Sequence, residues 1–470
     1  MIVKIRNLGV INSASIDLKP LTVFIGENSM GKTWAAYTLS AILGPHGYGK
    51  YLTAYLDGKT EQTYPPLDNA IKQLLEEGNA QIDLLQFAND YAEVYINDVA
   101  RFAPRWMRAL MATKRVTFDN LQVQINLANA KAGFLEKITA LTVENRLSVG
   151  SQSQALLNAL KESGKTTLYL YSESGEVLNK LPARAVKKFV GMQLFQTLHK
   201  TFYSNVYILP TERTGFIIFP FGVVQPDQIT LEDAVEEINK SDTEPKITSL
   251  IDPVKRFLNM IITTYRSTLV EREEHDNPQI SHYVKLAEFL ETEILRGKLK
   301  FDSSGLQKEL LFQPSDNTQL EMPIVSSMVK ELAPLVLCLR YLIKPNEWLI
   351  IDDPEMNLHP AAQVELIEFL AMLVNAGLHI LITTHSPYIV DHIANLMQAA
   401  KNDDQEGIKA LFYLDKTAAF IPQEQVSVYL FEEGTAKNVV NEDGIIDWHT
   451  FDEVSSDVSD IYPQLLNTKK

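Results

Sequence analysis

Eight consecutive residues, Gly26-Glu27-Asn28-Ser29-Met30-Gly31-Lys32-Thr33, have the types and spacing of a phosphate-binding loop. Glycines at its first and sixth positions let the backbone curl until successive N–H groups face inward as an anion nest. A helix opening near Lys32 adds the positive end of its dipole. Lys32 is expected to reach the β and γ phosphates, and Thr33 to set its hydroxyl on Mg²⁺. Gly26, Glu27, Asn28, Ser29, Gly31, Lys32 and Thr33 are the expected binding residues. The plain alternative is a chance glycine-rich turn, against which the flanking strand and helix argue.

A second run, Trp348-Leu349-Ile350-Ile351-Asp352-Asp353-Pro354-Glu355, is an apolar strand that ends in acids. Such a strand delivers a carboxylate to the open end of a parallel sheet. Asp352 is expected to partner Mg²⁺ through water, and Asp353 to orient or deprotonate an attacking water. Helix-capping acids are the plain alternative. Ile380–Thr384 is a further apolar run, ending at His385. A histidine there contacts a γ-phosphate and senses its loss, or is satisfied by surrounding backbone. Ser326 and Ser327 stand directly before a helix, where serine hydroxyls make an N-cap or an anion contact; locally the cap is favoured.

These residues need a scaffold, and the periodicity supplies one. Residues 2–6 and 13–18 read as short strands and Leu21–Ile25 as a buried one, followed by a helix over Thr33–Leu43 that Gly44, Pro45 and Gly47 end. From Ser326 the pattern alternates: helix Val329–Leu342, strand Trp348–Ile351, helix Ala361–Val374, strand His379–Thr384, helix Ile389–Ala400. That alternation predicts an α/β fold with a parallel sheet.

Between these parts, residues 50–200 read as a mostly helical insertion, with helical spacing over Ala70–Glu77, Ile82–Phe102 and Ser153–Glu162 and one strand at Thr166–Tyr171. Residues 201–216 return to the sheet through Val206–Leu209. A second helical insertion is expected over 217–290, with helices at Leu231–Ile238, Val254–Thr264 and Tyr283–Ile294 and the charged run Glu271–Glu274 in a loop. A strand over Ile294–Phe301 re-enters the core. The domain pattern expected is 1–49 and 291–420 for the head, with a small segment ending in an acidic tail over 421–470.

A net charge of −16 does not attract DNA to the molecule as a whole, so a nucleic-acid contact needs a local basic patch. Arg101-Phe102-Ala103-Pro104-Arg105-Trp106-Met107-Arg108, with Lys114 and Arg115, is the one basic cluster interleaved with aromatics, against which stands a solvated helix face. The single cysteine, Cys338, lies in an apolar run and reads as a buried structural thiol in a reducing compartment. With no signal-peptide pattern and no apolar run of about 20 residues, a cytoplasmic protein without a membrane span is expected.

Together the motifs resemble ABC-type ATPases, in particular the OLD-family and RecF-like branch, and among these the ATPase subunits of bacterial anti-phage systems of the PARIS and Septu types. The resemblance is carried by IRNLGVINSASIDLKPLTVFIGENSMGKT, SSMVKELAPLVLCLRYL, LIIDDPEMNLHPAAQ and LITTHSP. It covers roughly residues 1–45 and 290–400, and extends to Tyr207–Phe216. It implies a P-loop ABC-type head interrupted by insertions, ATP and Mg²⁺ as ligands, and a homodimer that sandwiches two nucleotides, with higher assembly open. In such a dimer Ser326 and Ser327 would touch the γ-phosphate on the partner chain.

The family usually has Glu where this chain has Asp353, and Gly where it has Met328. A carboxylate about 1 Å short of its best position costs roughly 10²-fold in rate, so slow hydrolysis and a long-lived ATP-bound dimer are expected. Leu430–Thr435 looks faintly like the start of a TOPRIM nuclease domain, but too little chain follows, and Asp457 and Asp460 lie in the acidic tail. The resulting expectation is a nucleotide-gated switch for a separate effector, a nuclease or toxin, in anti-phage defence. The alternative is a DNA-handling ATPase of the RecF or SMC kind. Glu212 and Arg213 read equally as a link between nucleotide and insertion or as a surface turn.

Overall fold

The strand before the phosphate loop, Leu21–Ile25, is buried at every residue, as its apolar side chains require of a strand covered on both faces, and the one polar residue, Thr22, donates its hydroxyl to Lys19 O. Each such Leu, Val or Phe contributes about 1.5–3 kcal/mol by leaving water. The computed structural model describes residues 1–127, 130–148, 155–173, 178, 181–218, 250–266, 277–303, 308–315, 318–448, 459–461 and 463–465. The chain divides into two units, one of Met1–Leu8, Tyr37–Met107 and Thr117–Val206, the other of Gly9–Ala36, Arg108–Val116 and Tyr207–Lys470.

In chain order the elements begin β1 (Ile2–Leu8), β2 (Ile11–Asp17), β3 (Leu21–Ile25) and α1 (Lys32–Leu43). The first unit continues with α2 (Pro45–Leu56), α3 (Pro65–Glu77), β4 (Asn79–Asp83), α4 (Leu84–Arg101) and α5 (Ala103–Leu110). Then come β5 (Gln122–Asn126), α6 (Lys131–Ala140), β6 (Val143–Ser148), β7 (Ala155–Lys161), β8 (Thr167–Tyr171) and α7 (Ala183–Phe202). Among the described residues of 50–200 there are five strands, where the sequence reading expected one. Four of them form an antiparallel sheet in the order β4-β8-β7-β6, while β5 pairs with β1.

Two sequence readings fail here for identifiable reasons. The described part of Ser153–Glu162 is strand β7, because cross-strand pairing with β6 and β8 overrides weak helical spacing. Ile82 belongs to β4, and the helix starts only after Asp83, whose carboxylate caps it by accepting from Gln86 N. The helix α1 does end at Leu43, and a new helix, α2, opens at once with Pro45 as its first residue and Gly47 inside it. The unit is held by an aromatic cluster in which the Phe195 ring lies 5.2 Å from those of Tyr51 and Tyr95. Tyr51 Oη shares hydrogen bonds with Tyr64 Oη (2.7 Å) and Asp98 Oδ2 (2.8 Å).

The second unit continues with β9 (Val206–Leu209), α8 (Arg213–Ile218), α9 (Asp252–Arg266) and α10 (Pro278–Phe289). It follows with β10 (Gly297–Asp302), β11 (Glu309–Pro314), β12 (Leu320–Glu321), α11 (Ser327–Leu337), β13 (Trp348–Asp352) and α12 (Pro360–Asn375). It ends in β14 (His379–Thr383), α13 (Pro387–Ala400), β15 (Val426–Glu432) and β16 (Thr435–Asn438). The readings at Leu231–Ile238 and Glu271–Glu274 lie outside the described residues. The strand expected from Ile294 starts at Gly297, because α10 runs on as a π turn to Leu295 and Arg296 reverses the chain at φ 55°. Likewise the helix expected to Leu342 ends at Leu337 and widens into a π turn over Cys338–Leu342.

The strands of this unit lie in the order β2-β16-β15-β3-β14-β13-β9. β13 and β14 run parallel with Asp352 opposite Thr383, and β14 and β3 with Thr383 opposite Phe24. This register brings the ends of three buried strands to one edge of the sheet. β15 pairs with β3 over Val426–Leu430, so the sheet continues past residue 420, where the sequence reading ended the head. Helices α11, α12 and α13 contribute Leu332, Val336, Leu366, Leu370 and Ile393 to the core of this unit. Among the described residues no helix is long and apolar enough to cross a membrane.

Candidate nucleotide site

The phosphate loop joins β3 to α1, and its glycines are required by space as well as by dihedral angle. At Gly26 φ is 131°, and a Cβ would stand 2.4 Å from the Phe431 carbonyl oxygen on β15. At Gly31 φ is 91°, and a Cβ would meet Ile11 Cγ1 at 2.8 Å. Ser29 also has positive φ, at 65°, while Glu27, Asn28 and Ser29 are exposed. Lys32 is buried and arches back over the loop, donating from Nζ to the carbonyls of Gly26 and Glu27, both at 2.8 Å. Burial lowers its pKa, against the charges of Asp353, Asp352 and Glu355, which raise it.

At the end of β13, Asp352 is 2% exposed, and its Oδ1 accepts from Thr33 Oγ1 at 3.0 Å and from Thr383 Oγ1. An oxygen-only pair of this kind, at the foot of a phosphate loop, fits Mg²⁺, which binds through one or two carboxylates and completes its shell with phosphate and water. Among the described residues no cluster of three or more His, Cys, Asp or Glu offers an all-protein cage. Asp353 follows with φ at 45°, its N–H donating to Thr383 O (3.1 Å) and Oγ1 (3.2 Å). Its Oδ1 is buried without a hydrogen-bond partner, 3.9 Å from His385 Nε2. Such an atom keeps an unmet demand for a donor. Burial raises the Asp353 pKa, held back by Lys32 and Arg213.

His385 follows β14. Burial and then the Lys32 charge lower its pKa, so it stands as neutral imidazole near pH 7. Its backbone N–H donates to Glu355 Oε1 at 2.6 Å. Glu355, half-buried, therefore ties the loop after β14 to the loop after β13. The sequence reading bounded the site at Glu355 but gave it no role; a third acid within four residues was the signal.

Arg213 is 1% exposed, which excludes the surface-turn reading. Its Nη1 donates to Pro210 O (3.0 Å) and Asp352 O (2.7 Å), its Nη2 to Asp353 O (2.8 Å), and its Nε pairs with Glu331 Oε2 at 2.7 Å. At the start of α11, Ser326 Oγ accepts from Val329 N at 3.4 Å, an N-cap at the long end of hydrogen-bonding distance. Ser326 and Ser327 are exposed, and Met328 is half-buried against the core.

The weaker sequence signals resolve mostly into structure. Trp106 and Phe102 are buried, Arg105 lies over the Phe102 ring at 4.5 Å, and Arg101 pairs with Glu61 at 3.1 Å. The aromatics of that run therefore belong to the core and offer no faces for bases to stack on. Cys338 is fully buried with its Sγ 3.0 Å from Met260 Sδ, and burial raises its pKa, as a structural thiol requires. Leu430–Thr435 is the hairpin between β15 and β16 of this same sheet. Asp457 lies outside the described residues, and Asp460 is exposed.

Among solved structures the chain is similar to the SmcHead bound to the C-winged helix domain of ScpA, at 10% identity and TM-score 0.33 over 93% of this chain and 96% of that one. It is similar to the SMC head domain from Thermotoga maritima, at 8% identity and TM-score 0.30 over 93% and 97%. A third is the Smc head domain with an extended coiled coil bound to the C-terminal domain of ScpA derived from Pyrococcus furiosus, at 10% identity and TM-score 0.33 over 98% of each chain. Among curated proteins none matches. The family described as AAA ATPase domain matches residues 1–390, a span that takes in the phosphate loop, both acids and His385. Since that match covers most of the chain and the sheet edge gathers those same residues around one loop, the protein belongs to the AAA ATPase domain family and is an ATPase.

Proposed function

We propose that this ATPase is a slow, nucleotide-gated dimeric switch that controls a separate effector protein. The observation that carries the reading is the placement of Ser326 and Ser327. They lie exposed at the N-terminus of an eleven-residue helix, the end whose dipole favours an anion, with Ser326 also capping the helix. In this reading they meet the γ-phosphate held by a second copy, so that ATP closes the dimer and hydrolysis opens it.

Within one copy, Gly26–Lys32 cradle the phosphates, Thr33 and Asp352 hold Mg²⁺, Asp353 orients the attacking water and His385 senses the γ-phosphate. The metal, when bound, offsets charge on the transferring phosphoryl group. Asp353 has the position for its task but a short reach, which supports slow turnover. The effector is a nuclease-like or toxin-like protein, and the defence setting rests on the sequence resemblance to anti-phage ATPase subunits.

Sedimentation of the Asp353→Asn protein tests the gate. A shift from monomer to dimer on adding Mg²⁺ and ATP, lost in Ser327→Arg, is expected; a mass independent of ATP would sink it. Affinity capture from the host before and after phage infection tests the switch. An effector held before infection and released after it is expected, and Lys32→Ala should abolish the response. Recovery of DNA and recombination proteins, unchanged by infection, would instead favour DNA handling.

A further inference from the structure

We propose that Arg213 is a positioning residue for hydrolysis, fixing the backbone of Asp352 and Asp353 and linking it through Glu331 to helix α11, so that Asp353 follows α11. The guanidinium donates to three backbone carbonyls, Pro210 O, Asp352 O and Asp353 O, and forms an ion pair with Glu331 Oε2, an oxygen that accepts no hydrogen bond. Two of those carbonyls belong to the acids at the end of β13. Asp353 adopts φ of 45°, a conformation that costs a non-glycine residue on the order of 1 kcal/mol and persists where its surroundings impose it. Thr383 holds its N–H side and Arg213 its carbonyl side.

Glu331 is the other end of the link. It lies five residues after Ser326 and is 1% exposed; its Oε1 accepts from Thr214 Oγ1 and from Asn357 Nδ2 at 2.8 Å. Asn357 is four residues past Asp353, so α11 grips the acid loop at two points. A buried ion pair is weak evidence for stability, because apolar side chains of similar volume stabilise as well or better. What such side chains do not supply is a fixed distance between the start of α11 and the Asp353 carbonyl. Lysine does not supply it either, since a single ammonium cannot span three carbonyls and a carboxylate in one plane. A pull on Ser326 and Ser327 thus reaches Asp353 through two side chains.

The inference rests on Asp353 orienting the water, as proposed above. The full-length protein is compared with Arg213→Lys, with the pair Arg213→Gln and Glu331→Gln, which leaves no unpaired buried charge, and with Asp353→Asn. Affinity for a fluorescent non-hydrolysable ATP analogue and the single-turnover rate of ATP hydrolysis, both with Mg²⁺, are measured. Both Arg213 variants should bind the analogue within about 3-fold of wild type and hydrolyse about 10- to 100-fold more slowly. A wild-type rate in either, or a parallel loss of affinity in a protein that still melts cooperatively, would overturn the inference.

Should neither variant fold, Asn357→Gly cuts the second branch at an exposed position whose positive φ glycine accepts. A several-fold slower rate is expected there, and an unchanged rate overturns the link. A wild-type rate in Asp353→Asn would remove the reading of that acid itself. A slow Asp353→Asn beside fast Arg213 variants would sink the linkage alone.

Discussion

Thr33 and Asp352, 319 residues apart in sequence, meet side chain to side chain, the threonine hydroxyl donating to Asp352 Oδ1 over 3.0 Å. The first residue follows β3 and the second ends β13; β14 lies between them, with Thr383 bonding the same oxygen. The sheet thus assembles a hard, oxygen-lined position from two loops that neither half of the chain forms alone.

Asp352→Asn isolates the charge at that position. The amide oxygen still accepts from Thr33 and Thr383, so the fold should melt near the wild-type temperature. The negative charge that Mg²⁺ needs is gone. ATP affinity should therefore stop rising with added Mg²⁺, and hydrolysis should fall by roughly 10²-fold or more. Titration of ATP binding with Mg²⁺ and with chelator checks this; an unchanged Mg²⁺ response would contradict it.

Gly26→Ala probes a contact of another kind. The new Cβ would stand 2.4 Å from the Phe431 carbonyl oxygen, a backbone atom of strand β15 that no rotamer change can move. Either β15 or the loop must shift, at about 2 kcal/mol or more. A lower melting temperature together with lost nucleotide binding is expected. Normal ATP affinity would mean that the loop closes in some other way.

The site was legible where its chemistry is contiguous: an eight-residue loop, and acids or a histidine ending apolar runs. What stayed hidden depends on pairing across the chain. Nothing in Leu430–Thr435 announces that Phe431 roofs the phosphate loop, because β15 reaches β3 by a contact some 400 residues long. Arg213 could not be told apart as a link to the nucleotide or a surface turn because its partners, Asp352, Asp353 and Glu331, lie more than a hundred residues away. The sheet at β4-β8-β7-β6 was missed for a similar reason. Strands as short as Asn79–Asp83 carry little period of their own and are fixed by their neighbours.

His199 makes the first unit sensitive to acid. Its Nε2 lies 2.7 Å from the Gly44 carbonyl and so donates, while Nδ1, 3.1 Å from Tyr95 Oη, accepts; neutral imidazole satisfies both. Burial pushes its pKa down to about 4, whereas the unfolded chain titrates it near 6.5. Between those values the unfolded state takes up the proton and the folded state does not. The stabilisation is complete above about pH 6.5 and is lost as pH falls through about 4, amounting to on the order of 3 kcal/mol. Urea midpoints at pH 7 and 4.5 should separate accordingly, and His199→Gln should flatten part of that difference.

Asp353→Glu sets reach against strain. Lengthening the side chain by one methylene moves the carboxylate by about 1 Å, a displacement worth roughly 10²-fold in rate when it corrects a misplaced group. Against this, φ at Asp353 is 45°, and Asp tolerates the left-handed region better than Glu because its short side chain bonds locally. The substitution should therefore destabilise the protein by about 1 kcal/mol. The Oδ1 of Asp353 is buried 3.9 Å from His385 Nε2 without a hydrogen-bond partner, so no hydrogen bond made by that oxygen is lost when the carboxylate moves. A single-turnover rate raised about 10-fold or more, with a slightly lower melting temperature, is expected if short reach limits hydrolysis. A slower Glu variant would mean that aspartate already stands where the water is oriented, and that slow turnover needs another cause.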